Sequence, residues 1–285
     1  MSAAAPLTIG RVMEVLDSLA AFSLAEKWDN VGLMVGRADT TVSAILVALD
    51  ATPRVLAEAE AQGCNCIVTH HPVIFHPLHS LRLDHPGGDL LARAILRGLT
   101  IISCHTNLDV VRQGVSGALA AACNLTAGEP LQAGATGDTG FGLIGDLAEP
   151  MAGDAFLQLV MTRLATPVLK LAGPLPERVR RVAVCGGSGS ELAETACERG
   201  ADLYLTGEVK HSVGRWAEAA SFCVVDAGHY PTEQVVIGPL AENLRARLVE
   251  AGHRVAVRTA AALRDPFSFV FRRDEVSPAV FLGNG

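Results

Sequence analysis

The chain has 285 residues, of which 49% are apolar and 19% charged, and its formal net charge is −7. This composition is sufficient for one large or two ordinary domains with a full hydrophobic core, and the acidic balance argues against general nucleic-acid binding, which requires a basic surface. Because no apolar stretch approaches about 18 residues and the N-terminus lacks a basic segment before an apolar run, the sequence predicts a cytoplasmic protein without a membrane span or secretory signal.

The predicted elements of the first half alternate between helix and strand. Apolar residues at helical spacing predict a first helix from Thr8 to near Phe22. The next elements are a strand at 45–49, a helix at 53–62, a strand at 66–69, a helix at 90–96, a strand at 101–104 and a helix at 113–123. This alternation predicts an α/β sheet. From about 128 to 145 the chain is rich in glycine, threonine and aspartate, which indicates a loop or a crossing between lobes.

The second half of the chain repeats this pattern. At an offset of 137 residues, segment 45–50 aligns with 182–187 and strand 67–69 with 204–206; at an offset of 124, His105 and Asp109 align with His229 and Glu233. Such an internal repeat indicates duplicated units. We therefore predict two pseudo-symmetric α/β lobes whose strand ends face one cleft. The predicted boundaries are residues 1–127 plus 227–285 for the first lobe and 128–226 for the second, inserted lobe.

Histidines and carboxylates follow several of the predicted strands. They are His70 and His71, His105 and Asp109, Glu208 and His211, and His229 and Glu233. Groups at the carboxyl ends of strands meet at one edge of an open α/β sheet, and imidazole with carboxylate is typical of a divalent-metal site. Because successive side chains of an extended segment point in opposite directions, the adjacent histidines favour two ions over one. Any one pair could instead cap a helix, and the His70–His71 pair favours the metal interpretation.

A glycine-rich segment follows a predicted strand of the second half. The amides of Gly187, Ser188 and Gly189 could hold a phosphate at the start of a helix. The segment lacks the Lys-Ser/Thr of a P-loop, and a tight turn of this kind needs no ligand. Both interpretations of this segment stay open. Two interpretations also stay open for Glu208 and His211, which either support metal ligands or pair with each other.

Seven cysteines and the hydropathy bear on redox state and assembly. An odd number of cysteines in a long chain fits reduced thiols rather than a disulfide framework. A mean hydropathy of +0.32 favours burial of further apolar surface in an oligomer.

Five short motifs occur in order along nearly the whole chain. They are WDNVGL (28–33), THHP (69–72), HTNLD (105–109), GGSG (186–189) and GH with TE (228–229 and 232–233). Together they resemble the dinuclear-metal hexameric family of GTP cyclohydrolase 1 type 2 homologues. The resemblance implies two α/β lobes with a dinuclear metal site between them, and homohexamers, trimers of dimers, that form a hollow toroid.

The resemblance also implies roles for individual residues. Carried over position by position, the metal ligands are His70, His71, Asp109, His229 and Glu233, with Glu233 contacting both ions. His105 and Glu233 are the expected catalytic residues, His105 as an acid/base group. Two divalent ions are implied, and Zn, Mn, Fe and Co all suit such ligands. Longer members carry a large inserted domain, for which residues 128–175 are too few, and the chain continues from Phe271 to Gly285 beyond the expected end of shorter members.

Two functions follow from this set of residues. Two closely spaced ions activate water, so we expect a hydrolase of a nucleotide or phosphorylated ring compound, such as GTP. Purine recognition normally needs a buried carboxylate and a stacking aromatic ring, and the nearest candidates are Trp28 beside Asp29 and Tyr230 beside His229. The alternative is a non-catalytic ring scaffold or metal-storage protein that binds protein partners. Open coordination positions favour the hydrolase, and a DNA-binding regulator conflicts with the acidic charge.

Overall fold

The chain forms a mixed α/β structure in which helices flank two β-sheets. The computed structural model describes residues 6–134 and 137–270, so the tail from Phe271 to Gly285 lies outside the described residues. The strands, in chain order, are β1 (Gly32–Val35), β2 (Ala44–Ala48), β3 (Cys66–Thr69), β4 (Thr100–Ser103), β5 (Leu125–Ala133), β6 (Gly140–Ala152), β7 (Lys170–Ala172), β8 (Arg178–Cys185), β9 (Leu203–Thr206), β10 (Cys223–Asp226) and β11 (Ala256–Thr259). The α-helices are α1 (Ile9–Leu19), α2 (Pro53–Ala61), α3 (Pro86–Leu96), α4 (Thr106–Asp109), α5 (Val115–Ala122), α6 (Gly153–Leu164), α7 (Ala193–Glu198), α8 (His211–Ala220), α9 (His229–Gln234) and α10 (Ile237–Glu250).

The predicted elements of the first half are confirmed, with ends shifted by a few residues. Thr8 caps α1 by accepting a hydrogen bond from the backbone N–H of Arg11, and Thr52 caps α2 in the same way through Val55 N. Side-chain caps of this kind satisfy amides that the first helical turn leaves free. Pro53 occupies the first turn of α2, where its missing N–H costs nothing.

The region from 128 to 145 is not the predicted loop. Strands β5 and β6 pair there antiparallel. Glycine is required because the strands approach closely: a Cβ on Gly140 would lie 2.1 Å from the carbonyl oxygen of Gln132, and one on Gly145 would lie 2.9 Å from that of Thr126. The glycines of this strand pair therefore serve close contact between backbones, and their abundance made the segment resemble a loop in composition.

The two sheets share one arrangement of four strands. The strand orders are β1-β4-β3-β2-β11 and β5-β6-β8-β9-β10-β7. In the first sheet β2, β3 and β4 are parallel and β1 is antiparallel to β4. In the second, β8, β9 and β10 are parallel and β7 is antiparallel to β10. The sequence repeat thus reappears as topology, while the domain boundaries at 127 and 227 stay a prediction.

The parallel strands are buried and their carboxyl ends carry the polar groups. Every residue of β2, β3 and β4 is buried, as expected for strands covered on both faces. Helix α10 packs on β2 and β11, and α5 packs on β5, β6 and β8 and against α9.

Within residues 6–134 and 137–270, no helix combines the length and apolar character that a bilayer crossing requires.

Candidate metal centre

Two adjacent histidines extend β3 at its carboxyl end. The backbone N–H groups of His70 and His71 donate to Ala48 O at 3.2 Å and Leu49 O at 2.9 Å, so pairing with the β2 side continues past the strand. The ring centroids are 4.9 Å apart and the ring planes are inclined at 46°. His70 is completely buried, whereas His71 is partly exposed. The two imidazoles therefore face different surroundings, as alternation along an extended segment requires.

The second sheet contributes a histidine and a glutamate through α9, which follows β10. His229 is the first residue of this helix and Glu233 is buried one turn later. Glu233 Oε2 lies 2.9 Å from His71 Nε2 and 3.0 Å from His229 Nε2, and Glu233 Oε1 lies 3.7 Å from His70 Nε2. One carboxylate thus meets imidazoles that follow strands of both sheets.

Asp109 and His105 approach the same group from the β4 side. Asp109 ends α4 and its Oδ1 lies 3.6 Å from His70 Nε2. His105 directly precedes α4, and its ring nitrogens lie close enough to those of His70 and His71 that one ligand atom from each falls within 4.8 Å of the others. The structure therefore brings together all six predicted residues: His70, His71, His105, Asp109, His229 and Glu233.

Each imidazole of this cluster is held through Nδ1 by an oxygen. Cys104 O lies 2.9 Å from His70 Nδ1. Carboxylates hold the other three: Asp50 at 2.7 Å from His71, Asp29 at 2.8 Å from His105 and Glu208 at 3.0 Å from His229. An oxygen that accepts from Nδ1–H leaves the Nε2 lone pair free, which is the arrangement of metal-binding histidines.

The tethering carboxylates refine the sequence interpretation. Glu208 pairs with His229, so of the two alternatives left open it supports a ring of the cluster rather than pairing with His211. Asp50 was not singled out, although it follows β2 at the same sheet edge and the strand-end argument applies to it equally. Asp29 accepts from Thr106 N at 3.0 Å and Thr106 Oγ1 at 2.5 Å besides His105, so its carboxylate is fully engaged.

The electrostatics of the cluster favour added positive charge. Burial lowers the pKa of His71, but Asp50 and Glu233 outweigh it and raise that pKa to about 10. Burial raises the pKa of the Asp109 carboxyl to about 7, assisted by Glu233 and opposed by His70. The pKa of Glu233 is held well below its ordinary value, because contacts with His229, His70 and His71 outweigh its burial.

His105 differs from the other imidazoles of the cluster in the direction of its pKa shift. Burial, together with the neighbouring His70, lowers the pKa of His105 in spite of its contact with Asp29. The lowered pKa favours the neutral ring, and the Asp29 carboxylate beside Nδ1 favours the tautomer that carries its proton there.

Two buried polar atoms of the cluster lack hydrogen-bond partners, which tests whether a cation fits here. His70 Nε2 and Glu233 Oε2 are buried and make no hydrogen bond with any of the described residues. The short contacts of Glu233 Oε2 with His71 and His229 are ion-pair approaches without hydrogen-bond geometry. Unsatisfied buried atoms cost free energy unless another partner is supplied. Lone pairs that converge in this way suit a divalent cation, and these residues could bind one.

The glycine-rich turn packs against the cluster. Gly187 has φ +64°, and a Cβ there would lie 2.1 Å from Glu233 Oε1. The amides of Gly187 and Gly189 donate to Thr232 Oγ1 and Thr206 Oγ1, both at 3.1 Å. Two of the three amides proposed for phosphate are thus engaged within the protein, and the observed role is close packing. Phosphate binding by Gly187, Ser188 and Gly189 stays a prediction.

Known proteins resemble this chain over most of its length. The family model described as Duf34/NIF3 (NGG1p interacting factor 3) matches residues 7–266. A GTP cyclohydrolase 1 type 2 homolog from Clostridium acetobutylicum is 30% identical over 266 residues, which cover 92% of this chain and 99% of the relative. A protein of the same name from Nostoc is 35% identical over 204 residues, covering 71% of this chain and 77% of the relative. A crystal structure of a Staphylococcus aureus protein has a TM-score of 0.89 and 27% identity, covering 93% of this chain and 100% of that chain.

Proposed function

The chain belongs to the Duf34/NIF3 family, and from this premise we propose that it binds two divalent cations and hydrolyses a nucleotide or phosphorylated ring compound. Membership confirms the resemblance drawn from the sequence motifs. The names of the relatives, GTP cyclohydrolase 1 type 2 homologs, agree with a hydrolytic function on a nucleotide. Because a shared fold does not establish an activity, the proposal depends on the geometry of the cluster.

The observation that carries the proposal is the position of Glu233 between two groups of ligands. Its Oε1 faces His70, which also lies 3.6 Å from Asp109, and its Oε2 faces His71 and His229. His70, Asp109 and Glu233 would hold one ion, and His71, His229 and Glu233 would hold the other. A carboxylate shared in this way is typical of two-metal sites, and the orphaned His70 Nε2 and Glu233 Oε2 would gain partners.

The ligand chemistry limits the choice of metal. Imidazole and carboxylate suit Zn, Mn, Fe or Co, and three protein ligands for each ion leave coordination positions open. Open positions distinguish a catalytic site from a structural zinc site, which four protein ligands close. Two such ions supply Lewis acidity and activate water for hydrolysis.

The residues around the ligands have separate tasks. Asp50 and Glu208 orient the rings of His71 and His229, so that Nε2 of each points into the cluster. Asp29 holds the Nδ1 proton of His105, which leaves His105 Nε2 free to accept a proton from the reacting group and return it to the product. The lowered pKa of His105 supports this base role near neutral pH.

The proposal is tested by metal content and turnover together. Protein reconstituted with Zn²⁺ or Mn²⁺ is expected to hold two ions per chain by elemental analysis and to hydrolyse a member of a panel of nucleotides and phosphoesters. Glu233→Gln is expected to lose both ions and all turnover, whereas the matched control Glu250→Gln, at an exposed position of α10, keeps both. Two ions without turnover would favour the scaffold or storage function, and no ions would refute the metal centre.

We propose further that the cluster lies in a cleft between two lobes, in a homohexamer. The cleft is supported by contacts that join His70 and His71, after β3, to residues of α9, after β10. Oligomerisation is supported by exposed apolar side chains at the end of α3, where Ile95 is 57% and Leu96 84% exposed. Light scattering is expected to give six times the chain mass, and a solution mass of 29.8 kDa would reject the hexamer.

A further inference from the structure

Two exposed aromatic side chains stand beside the metal-binding cluster. Trp28 is 60% exposed and Phe75 is 39% exposed. Their ring centroids are 6.0 Å apart and the ring planes are inclined at 55°. We call this pair the aromatic corner. Large aromatic surface left in water forgoes the free energy of burial, so an exposed aromatic pair beside a polar cluster points to a binding role.

A hydrogen bond and packing hold the aromatic corner in place. Asn30 Nδ2 donates to Ile74 O at 2.6 Å, which joins the segment that carries Trp28 to the segment that carries Phe75. Val73 and Ile74 pack against the core of the first sheet. Phe75 therefore turns outward from an anchored backbone, and the geometry of the pair is built into the fold.

His105 connects the aromatic corner to the cluster. Its ring centroid lies 6.3 Å from that of Trp28 and 6.0 Å from that of Phe75, edge-on to both at 78°. The same centroid lies 5.1 Å from that of His70 and 5.6 Å from that of His71. A small molecule with an oxygen atom at the cluster would therefore place its adjoining part against the corner.

We propose that the aromatic corner stacks the planar ring of a heteroaromatic ligand whose oxyanion group binds at the cluster. This inference rests on the proposed function and adds to it the residues that select the substrate. Two inclined rings offer a ligand one stacked and one edge contact, the arrangements that aromatic pairs prefer.

The other candidates for ring recognition are engaged elsewhere. Tyr230 packs against the core of the first sheet, and its hydroxyl lies 3.5 Å from Leu263 O. The Asp29 carboxylate is taken by His105 and Thr106. Trp28 is the more exposed of the two aromatics predicted from the sequence, and Phe75 is a partner that the sequence did not indicate.

The test uses Trp28 as its own reporter. The chain has two tryptophans, and Trp216, the other, packs on Phe222 with ring centroids 6.1 Å apart. A Trp216→Phe variant therefore makes Trp28 the sole source of tryptophan fluorescence. The probes are guanosine monophosphate, cytidine monophosphate and pyridine-2-carboxylate, added to zinc-treated protein, with ribose 5-phosphate as the control that lacks an aromatic ring. We expect at least one aromatic probe to quench Trp28, and ribose 5-phosphate to leave it unchanged.

Variants then identify the contact. Trp28→Ala and Phe75→Ala are each expected to raise the Kd of the quenching probe at least about fivefold by calorimetry, the lower end of what stacking on one ring contributes. Leu83→Ala removes another exposed apolar side chain between β3 and α3 and should leave the Kd unchanged. Zinc content, measured separately, should be unchanged in all three variants.

The outcomes separate this inference from the proposed function. Quenching by an aromatic probe in protein that binds none of Zn, Mn, Fe or Co would keep the aromatic corner and remove the proposed function. Turnover of phosphoesters without quenching by any aromatic probe would overturn the corner and leave the proposed function standing. Trp28 emission that responds to protein concentration and to none of the probes would also overturn it, because a second copy would then cover the corner.

Discussion

Substitution of Gly187 by alanine tests whether close packing against Glu233 positions this carboxylate in the proposed metal centre. The added Cβ would lie 2.1 Å from Glu233 Oε1, whereas ordinary contact begins at 3.4 Å, so the carboxylate must recede by more than 1 Å. Metal–ligand distances tolerate only about 0.2 Å. Mutation of a residue that only supports a metal ligand typically lowers metal affinity about 10- to 100-fold. Displacement of Glu233 is therefore expected to weaken cation binding at least about 100-fold, or about 2.7 kcal/mol.

Gly200 provides a matched control for the backbone. Gly187 and Gly200 both have positive φ, +64° and +73°, but nothing lies within 4 Å of a Cβ added at Gly200. Both Gly187→Ala and Gly200→Ala should lower the free energy of unfolding by about 1–2 kcal/mol for the left-handed conformation. Only Gly187→Ala should also reduce cation affinity.

The assay is zinc competition with a fluorescent chelator, beside denaturant unfolding of the same proteins without metal. Wild type and Gly200→Ala are expected to share one zinc affinity, and Gly187→Ala to fall well below it. If Gly187→Ala bound zinc as tightly as Gly200→Ala, the packing of the glycine-rich turn would not position Glu233, and the reasoning would be refuted.

Three further predictions concern the tethers of the cluster and the thiols. Asp50→Ala and Glu208→Ala are each expected to weaken zinc binding about 10- to 100-fold in the same competition assay, since each carboxylate orients an imidazole; unchanged affinity would deny them that role. Asp29→Asn is expected to destabilise the protein at neutral pH, because contacts with Thr106 and His105 outweigh burial and lower the pKa of Asp29. That stabilisation is present above the unfolded pKa of about 3.9 and is lost as the pH falls through the folded pKa. Denaturant unfolding should therefore show the unfolding free energies of the two proteins converging below about pH 4. A difference that stays constant with pH would contradict this. Iodoacetamide at about pH 8 is expected to alkylate the partly exposed Cys197 in the native protein by mass spectrometry. It should spare the thiols whose pKa burial raises to about 12, namely Cys66, Cys104, Cys123, Cys185 and Cys223. Rapid labelling of these thiols would show that the core around them opens.

The helices and strands of the first half could be predicted because their signals are local. Strand β3 occupies the predicted residues 66–69, and Pro53 and Gly63 bracket α2. The pair β5 and β6 could not be predicted in this way, because its glycines serve contacts between strands, such as that of Gly140 with Gln132. Composition alone does not distinguish a glycine that frees a turn from one that admits a neighbouring backbone.

The candidate ligands could be found for a similar reason. A parallel strand delivers the residues after its carboxyl end to one edge of the sheet, so histidines and carboxylates at those positions were expected to converge. Asp50 follows the same rule after β2, and the structure places its carboxylate beside the ring of His71. Phe75 follows no such rule, since a hydrogen bond from Asn30 to Ile74 O and the packing of Ile74 on the core bring it beside Trp28.

The sequence by itself determined the alternating helices and strands of the first half and the residue types that gather at the strand ends, because periodicity and strand-end position are written in a few neighbouring residues. Only the tertiary structure decided which oxygen of Glu233 faces which imidazole, and which carboxylate tethers each ring. His71 and His229 each take their carboxylate from a residue 21 positions away. The distances between such residues, to within a few tenths of an ångström, depend on how two sheets and their helices pack. No local pattern in the chain records that packing.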